Sequence, residues 1–208
     1  MNAHPGPAYR VETARLSLRC LEPRDVHLVQ EAIAASLEHL RPWMSWVVHE
    51  PLTLDERLEL LRARRGHFDL GGDLYYGLFD KQARRMLGGA GLSLRSDVDE
   101  RELGYWVRAD SLRQGLASEA MAALVRVAFD VEGLSGLDLR VEPHNVASAG
   151  LAVKLGFLGP VLDPASEPTP GGDKRDMHVY SLPRMVYAAS PLAQVALEAY
   201  DVIGRRIL

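Results

Sequence analysis

The sequence predicts an α/β fold in one domain, and three observations predict it. Residues 102–157 run strand, glycine turn, helix, strand, helix. Upstream, strand-like stretches at residues 15–21, 74–79 and 86–92 enclose two helical segments. With 208 residues, 47% of them apolar, the chain can build one sizeable core, and nothing suggests a second.

Taken in order, a first strand lies near residues 15–21, and Pro23-Arg24-Asp25 announces a helix running toward Leu40. A second helix follows Thr53. Leu74-Tyr75-Tyr76-Gly77-Leu78-Phe79 and Met86-Leu87-Gly88-Gly89-Ala90-Gly91-Leu92 read as hairpin strands joined through residues 80–85. The alternating strand Glu102-Leu103-Gly104-Tyr105-Trp106-Val107-Arg108 passes through a polar turn to Arg113-Gln114-Gly115-Leu116-Ala117, where a long helix starts. In that helix Ala117, Ala120, Met121, Leu124, Ala128 and Val131 recur at helical spacing as the buried stripe, with Glu119, Arg126 and Asp130 on the wet side. Leu137-Asp138-Leu139-Arg140-Val141-Glu142 then leads into a helix opening at Asn145 and stopping at Gly156-Phe157.

Residues 160–172 are rich in Pro and Gly and predict a loop before the strand Met177-His178-Val179-Tyr180-Ser181-Leu182. Ser190-Pro191 predicts the cap of a last helix whose Leu192, Val195, Ala196, Ala199, Tyr200, Ile203 and Ile207 share a face, packed on the domain or forming a homodimer contact. The expected organisation is a flexible N-terminus at 1–12, the main domain at 13–183 and a C-terminal helical extension at 184–208.

The glycine turn carries the first chemical inference. The first N–H groups of a helix lack intrahelical acceptors and the helix dipole adds partial positive charge, so a pyrophosphate can bind there without a lysine. Gly115 permits close approach, and small Ala117 and Ser118 leave the first turn unobstructed. A lone glycine before a helix reads better as a tight loop or cap; the order of the surrounding elements is what favours a ligand.

Composition narrows the classes. The net charge of −4 is spread over mixed-sign segments, which argues against nucleic acid as the main partner even though Arg57, Arg62, Arg64 and Arg65 cluster. That cluster reads as the solvated face of a helix bearing Leu54, Leu58 and Leu61, with help to an acidic partner or to cofactor phosphates as the second reading. Cys20 is the single cysteine, so no disulfide or cysteine-rich metal site forms within the chain, and the seven histidines show no ligand spacing. The first residues lack the basic start and apolar core of a signal peptide, and no apolar run is long enough to span a bilayer, so the expected compartment is the cytoplasm, with no membrane partner.

Glu102-Leu103-Gly104-Tyr105-Trp106, Arg113-Gln114-Gly115-Leu116-Ala117-Ser118-Glu119-Ala120, and Asn145-Val146-Ala147-Ser148 followed by Lys154-Leu155-Gly156-Phe157 resemble the GCN5-related N-acetyltransferases (GNAT). Within that superfamily they are similar to the group that acetylates ribosomal-protein N-termini. Thr13-Ala14-Arg15-Leu16-Ser17-Leu18-Arg19 resembles that group's first strand, and Leu37-Glu38-His39-Leu40-Arg41-Pro42-Trp43-Met44-Ser45-Trp46 its first helix and substrate loop. The resemblance implies a mixed, mostly antiparallel central sheet with splayed strands flanked by helices. It also implies acetyl-CoA as cosubstrate, attacked directly by an amine, without metal or covalent enzyme intermediate.

By the same resemblance the cofactor site comprises Tyr105, Trp106 and Val107, the turn residues Leu112, Arg113, Gln114, Gly115, Leu116, Ala117 and Ser118, and Asn145. Main-chain groups of Tyr105 and Val107 pair with the pantetheine arm as an added strand would, and one N–H polarises the thioester carbonyl. Asn145 also reads as a helix N-cap with Ser148 at the third helical position.

Two positions depart from the family pattern. Leu112 stands where Gln or Arg is usual, which leaves Arg113 as the substitute cation, and Ala152 stands where many relatives carry a general-acid tyrosine, which leaves Ser148 as the candidate acid. Glu102, on the same strand face as Gly104 and Trp106, is the candidate base, against the alternative of a surface charge. Trp43 and Trp46 are candidates for a wall of the acceptor pocket, or else satellite core.

The favoured acceptor is a protein N-terminal α-amine. Its pKa of roughly 8, against roughly 10.4 for lysine, leaves about a tenth of it as free base at neutral pH. The alternatives are a small amine such as an amino acid, polyamine or antibiotic, marked by a short acceptor loop and a deep acidic pocket, or a catalytically weak acyl-CoA-binding protein.

Overall fold

The structure, a computed structural model, describes residues 6–94, 99–169 and 173–208. The strands are β1 (Arg10–Glu12), β2 (Leu16–Cys20), β3 (Leu74–Asp80), β4 (Met86–Leu94), β5 (Glu100–Val107), β6 (Gly136–Val141), β7 (Leu158–Pro168), β8 (Lys174–Pro183) and β9 (Glu198–Tyr200). The helices are α1 (Val26–Ala34), α2 (Leu37–Leu40), α3 (Leu54–Asp69), α4 (Leu116–Asp130), α5 (Val146–Lys154) and α6 (Arg184–Ala188). Among the described residues the strands form one open nine-stranded sheet in the order β7-β8-β6-β5-β4-β3-β2-β1-β9. Every pairing is antiparallel except β5 with β6.

Alternation along the strands divides the core between the two faces. On one face Leu18, Leu103, Leu137 and Leu139 pack with Met121, Leu124 and Ala128 of α4. On the other, Phe79 and Met86 pack with Val29 and Ile33 of α1 and Leu61 of α3. Thr53 caps α3 by accepting from the Glu56 N–H, and the Glu56 carboxylate accepts in return from the Thr53 N–H, a capping box.

The feature that makes a site is a split in the sheet. β5 and β6 are parallel partners only over Glu100–Glu102 with Gly136–Asp138, although β5 continues to Val107 and β6 to Val141. Past Glu102 the two strands separate, and the helix starts of α4 and α5 stand at the opening.

Several expectations are corrected. The expected last helix does not form: a 3-10 turn at Pro191–Gln194 is followed by β9, which pairs with β1 through Arg10↔Tyr200, Val11↔Ala199 and Glu12↔Glu198. Apolar residues three and four apart suited a helix, but Gly204 at φ 81 and Asp201 Oδ1, accepting from the Ile203 and Arg205 N–H groups, close a tight turn there. Residues 10–12, expected to be flexible, are held as β1 because Val11 is fully buried and β2 offers an unpaired edge; residues 1–5 lie outside the described set.

The Pro-rich stretch expected as a loop is mostly β7, an edge strand, where a proline's missing N–H need not break a ladder; residues 170–172 lie outside the described set. The first helix breaks between α1 and α2, where Ser36 Oγ donates to Ala32 O and accepts from the Ala109 N–H. Finally, α4 has little wet side. The C-terminal segment crosses it, stacking Tyr187 on Phe129 at 4.3 Å and accepting Arg126 Nη1 at Val195 O, while Glu119 is turned into contact with the start of β2.

Candidate active site

Backbone geometry shapes the first half of the site. Arg108 N–H donates to Leu87 O, and the Trp106 carbonyl lies against Gly88, so these groups of the β5 end face β4. Period-two alternation then turns the N–H and C=O of Tyr105 and Val107 toward the gap that β6 has left. They are the bare edge of a strand, ready for an added one.

Across the gap, Arg113 at φ 59 and Gly115 at φ 77 curl the turn that opens α4. Gly115 occupies the N-cap position and no side chain caps the helix, so the N–H groups of Leu116, Ala117 and Ser118 are left to the cleft. The cleft measures about 630 Å³, within the range of cofactor sites. Tyr105, Trp106, Val107, Leu112, Arg113, Gly115, Leu116, Ala117, Ser118, Asn145 and Ser148 all line it. Gln114 contributes differently: its carbonyl accepts from Arg15 Nη1 at 2.7 Å.

That bond belongs to a clamp that sequence reasoning missed. Glu119 Oε1 accepts from Thr13 Oγ1 at 2.6 Å and from the Arg15 N–H at 2.8 Å, and Glu119 Oε2 accepts from Arg15 Nε at 2.6 Å. Arg15 thus ties the start of β2 to both the glycine turn and the first turn of α4. From α5, Lys154 Nζ donates to Ser118 Oγ at 3.1 Å and lines the same cleft. Arg15, Arg113 and Lys154 surround the turn with positive charge, while Leu112 is 37% exposed at its edge.

Asn145 caps α5, its Oδ1 accepting from the Ser148 N–H at 3.1 Å. The cap holds Ser148 so that its Oγ lies 3.0 Å from the Tyr105 hydroxyl. Burial raises the Tyr105 phenol above its ordinary pKa, against a smaller lowering by Ser148, so it stays protonated at neutral pH. Ala152 is wholly buried in the core. The phenol beside Ser148 therefore comes from β5, not from the α5 position that holds it in many relatives; alternation alone, which puts Tyr105 on the α5 side of the sheet, was the signal.

Side chains wall the second half, a cavity of about 410 Å³ on the opposite face of the sheet, against α1 and α3. Its floor is made of strand glycines. Gly89, Gly91 and Gly104 share a face with Ser93, Glu102 and Trp106, through the pairs Gly89↔Trp106, Gly91↔Gly104 and Ser93↔Glu102. A Cβ at Gly89 would stand 2.6 Å from Trp106 Nε1, so the indole lies over that glycine; a Cβ at Gly104 would meet nothing within 4 Å. Trp46 leans against Trp106 with centroids 6.4 Å apart.

Glu102 lines this cavity, part-buried, so it is not simply a surface charge. The two candidate tryptophans part company: Trp46 walls the cavity, and Trp43 lines the cleft, its carbonyl accepting from Arg175 Nη2 at 2.8 Å. The arginine cluster is also not one solvated face. Arg57 is 2% exposed and gives Nη2 to both Glu50 oxygens at 2.5 Å, and Arg64 lines the cavity, because α3 turns this side toward the sheet. The cleft and the cavity share Met44, Tyr105 and Trp106, so they meet at the split.

The sequence is 28% identical over 159 residues to the ribosomal protein uS5 alanine N-acetyltransferase of Escherichia coli (strain K12), covering 73% of this chain and 79% of that protein. The fold is similar to the ribosomal-protein-S5-alanine acetyltransferase of Vibrio fischeri, with a TM-score of 0.74 at 17% identity over 84% of this chain and 96% of that one. It is also similar to Mycobacterium smegmatis RimJ in complex with CoA-disulfide, with a TM-score of 0.72 at 21% identity over 88% and 92% of the two chains. With its residues 15–158 matching the acetyltransferase (GNAT) domain family, the chain belongs to that family and is an N-acetyltransferase related to the ribosomal-protein enzymes.

Proposed function

We propose that the protein acetylates the α-amine of a protein N-terminus, using acetyl-CoA as cosubstrate. The observation that carries this reading is the meeting of the cleft and the cavity at Met44, Tyr105 and Trp106: one opening presents bare strand edge and helix N–H groups, the other an aromatic and charged pocket. Acetyl-CoA, when bound, supplies the acetyl group already activated as a thioester. The uncapped N-terminus of α4 holds the pyrophosphate, with Arg15, Arg113 and Lys154 nearby, and the Tyr105 and Val107 main chain lines up the pantetheine arm.

From the cavity side the amine reaches β5 across the glycine floor. About a tenth of an α-amine is free base at neutral pH, so Glu102 has only the remaining proton to take, directly or through water. A main-chain N–H of Tyr105 or Val107, aimed at the carbonyl oxygen, stabilises the charge that develops there. Ser148, backed by the protonated Tyr105 hydroxyl 3.0 Å away, supplies the proton that the departing thiolate needs.

An acidic pocket would favour a polyamine or aminoglycoside, but the carboxylates of Glu50 and Glu102 share this cavity with the guanidinium groups of Arg57 and Arg64. A mass-spectrometric screen tests the reading. Peptides with free α-amines should be acetylated, and the same peptides blocked at the N-terminus but containing lysine should not. Far higher catalytic efficiency with free polyamines, amino acids or aminoglycosides than with every peptide would replace the protein acceptor by a small amine.

A further inference from the structure

The arginine-rich side of α3 brings a charge to the acceptor cavity and, among the described residues, leaves it without a counterion. Arg57 is committed to Glu50, Arg62 to Glu59, and Arg65 to Asp69 at 2.8 Å. Arg64 makes no hydrogen bond or ion pair among the described residues; its guanidinium lies over the Tyr75 ring, 4.7 Å from the centroid, in the cavity wall. Burial depresses its pKa and Arg57 adds to that, while the one carboxylate acting on it, Glu50, is already held by Arg57. Arg57 Nε, in the same wall, is buried with no acceptor. A part-buried cation without a partner is costly, and although Glu102 also lines the cavity from β5, the α3 side sets two guanidinium groups against the one carboxylate of Glu50 and is complementary to an anion.

We propose that the acceptor carries a carboxylate close to its reacting amine and that Arg64, beside Arg57 Nε, binds it. This rests on the protein N-terminus as acceptor: the carboxylate is then an aspartate or glutamate side chain within the first three residues. The sheet register sets that reach. Tyr75 pairs with Gly91 and Gly91 with Gly104, so Tyr75 stands two strand spacings, about 10 Å, from Gly104 at the strand where the amine arrives. The Tyr75 ring leans back over Gly91, its Cδ1 3.0 Å from where a Cβ would sit, which brings the stacked guanidinium nearer. An extended peptide advances roughly 3.4 Å per residue, so a side chain at the second or third position spans the gap. The guanidinium fork matches a carboxylate in two parallel hydrogen bonds.

The test uses peptides with a free N-terminal alanine that differ only in carrying Glu, Gln or Lys at the second and third positions, with acetyl-CoA. The Glu peptide should exceed the Gln peptide in kcat/KM by about tenfold, as expected for a charge-assisted pair, with the Lys peptide lowest. In Arg64→Gln the Glu-to-Gln ratio should fall to about one, and Arg64→Lys should keep part of it, since a point charge replaces a fork. A thermal shift with acetyl-CoA shows that each variant is folded. Titrating the same peptides into the CoA complex and following tryptophan fluorescence, with Trp46 and Trp106 in the cavity wall, reads binding without turnover.

A Glu peptide no better than its Gln twin in turnover and binding, or a ratio unchanged in Arg64→Gln, overturns the anion site; peptides acetylated without regard to charge do so while leaving the protein acceptor in place. If a free amino dicarboxylic acid is used or bound and no peptide is, with the preference lost in Arg64→Gln, the anion site stands and the protein-acceptor reading falls.

Discussion

The cleft proposed for the cofactor and the cavity proposed for the acceptor meet at Tyr105 and Trp106, yet they are made of different material. The cleft uses main chain: the bare edge of β5, the curled turn at Arg113 and Gly115, and the uncapped start of α4. The cavity uses side chains laid over glycines, with Trp46, Trp106, Tyr75, Glu50, Arg57 and Arg64 as walls. Main-chain recognition depends on backbone path, so it is compatible with Leu112 at a turn position where Gln or Arg is usual. A wall of side chains changes with each substitution, and specificity is expected to reside there.

The comparison breaks most sharply at Gly115. Gly115→Asp puts a Cβ at φ 77, costing about 1 kcal/mol, and a negative charge where a pyrophosphate must sit, so acetyl-CoA affinity should drop by at least roughly 100-fold. The measurement is thermal shift at saturating acetyl-CoA: wild type should gain stability and the variant should not. A full shift in the variant would mean that the turn is not where the cofactor binds.

Where the halves meet, the effect should fall on turnover. Ser148→Ala and Tyr105→Phe should each lower kcat by roughly 100-fold, the lower end for a lost general acid, with acetyl-CoA affinity little changed. If the two hydroxyls act as a unit, the double variant should be no worse than the worse single one. Unchanged turnover in Ser148→Ala would return that residue to α5 capping geometry alone.

Gly104→Val sharpens the distinction from the cavity side. A Cβ at Gly104 meets nothing within 4 Å, and valine suits a strand, so the fold should accept it while the branched side chain fills cavity floor. The KM for peptide should rise by about tenfold, equivalent to about 1.4 kcal/mol, and that for acetyl-CoA should not change. Equal losses for both substrates would show that the cleft and the cavity act as one site. For Glu102→Gln the expected loss in kcat is smaller, about fivefold near pH 7, and should ease above about pH 8 as the amine deprotonates unaided. A loss that persists undiminished at high pH would assign Glu102 to structure.

How much of this was legible follows from chain distance. The glycine turn, the Asn145 cap and the β5 edge lie within residues 105–145 in reading order, each marked by a local pattern of glycine, cap residue or alternation. The Arg15 clamp joins residues 104 apart in the chain, and no periodicity marks it. Arg57 read as a surface charge because its partner, Glu50, lies before the helix, and helical spacing says nothing about which neighbour a helix turns toward. The C-terminal strand was misread for another reason: apolar spacing over a short stretch suits both helix and strand, and here an unpaired β1 edge decided the outcome. The side of the sheet on which Tyr105 lies follows from alternation, but its phenol meets Ser148 only through the tertiary packing of α5 on the sheet.

The smallest expected effect concerns how the main-chain half is held in place. Burial pushes the Glu119 carboxyl up, but hydrogen bonds from Thr13 and from the main chain and side chain of Arg15 outweigh it and hold the pKa below the usual carboxylate range. Its side chain is only 17% exposed, so the contacts are partly shielded from solvent. A carboxylate whose pKa is depressed on folding stabilises the native state fully above its unfolded value, and that contribution is lost as pH falls through the folded value. Glu119→Gln should therefore cost about 1 kcal/mol at pH 7, roughly 3 °C in Tm for a chain of this size. The gap from wild type should begin to narrow below about pH 4, near the unfolded value, and close as pH falls through the lower folded value, where the native carboxyl is itself neutral. Thermal melts across pH 3–7 check both. A gap independent of pH would mean that Glu119 acts through shape, and that the turn is held by the fold of α4 without the clamp. If instead the gap closes and acetyl-CoA also binds less tightly in Glu119→Gln at pH 7, then a main-chain site depends on a side-chain clamp, and the contrast between the two halves holds only for the groups that touch ligand.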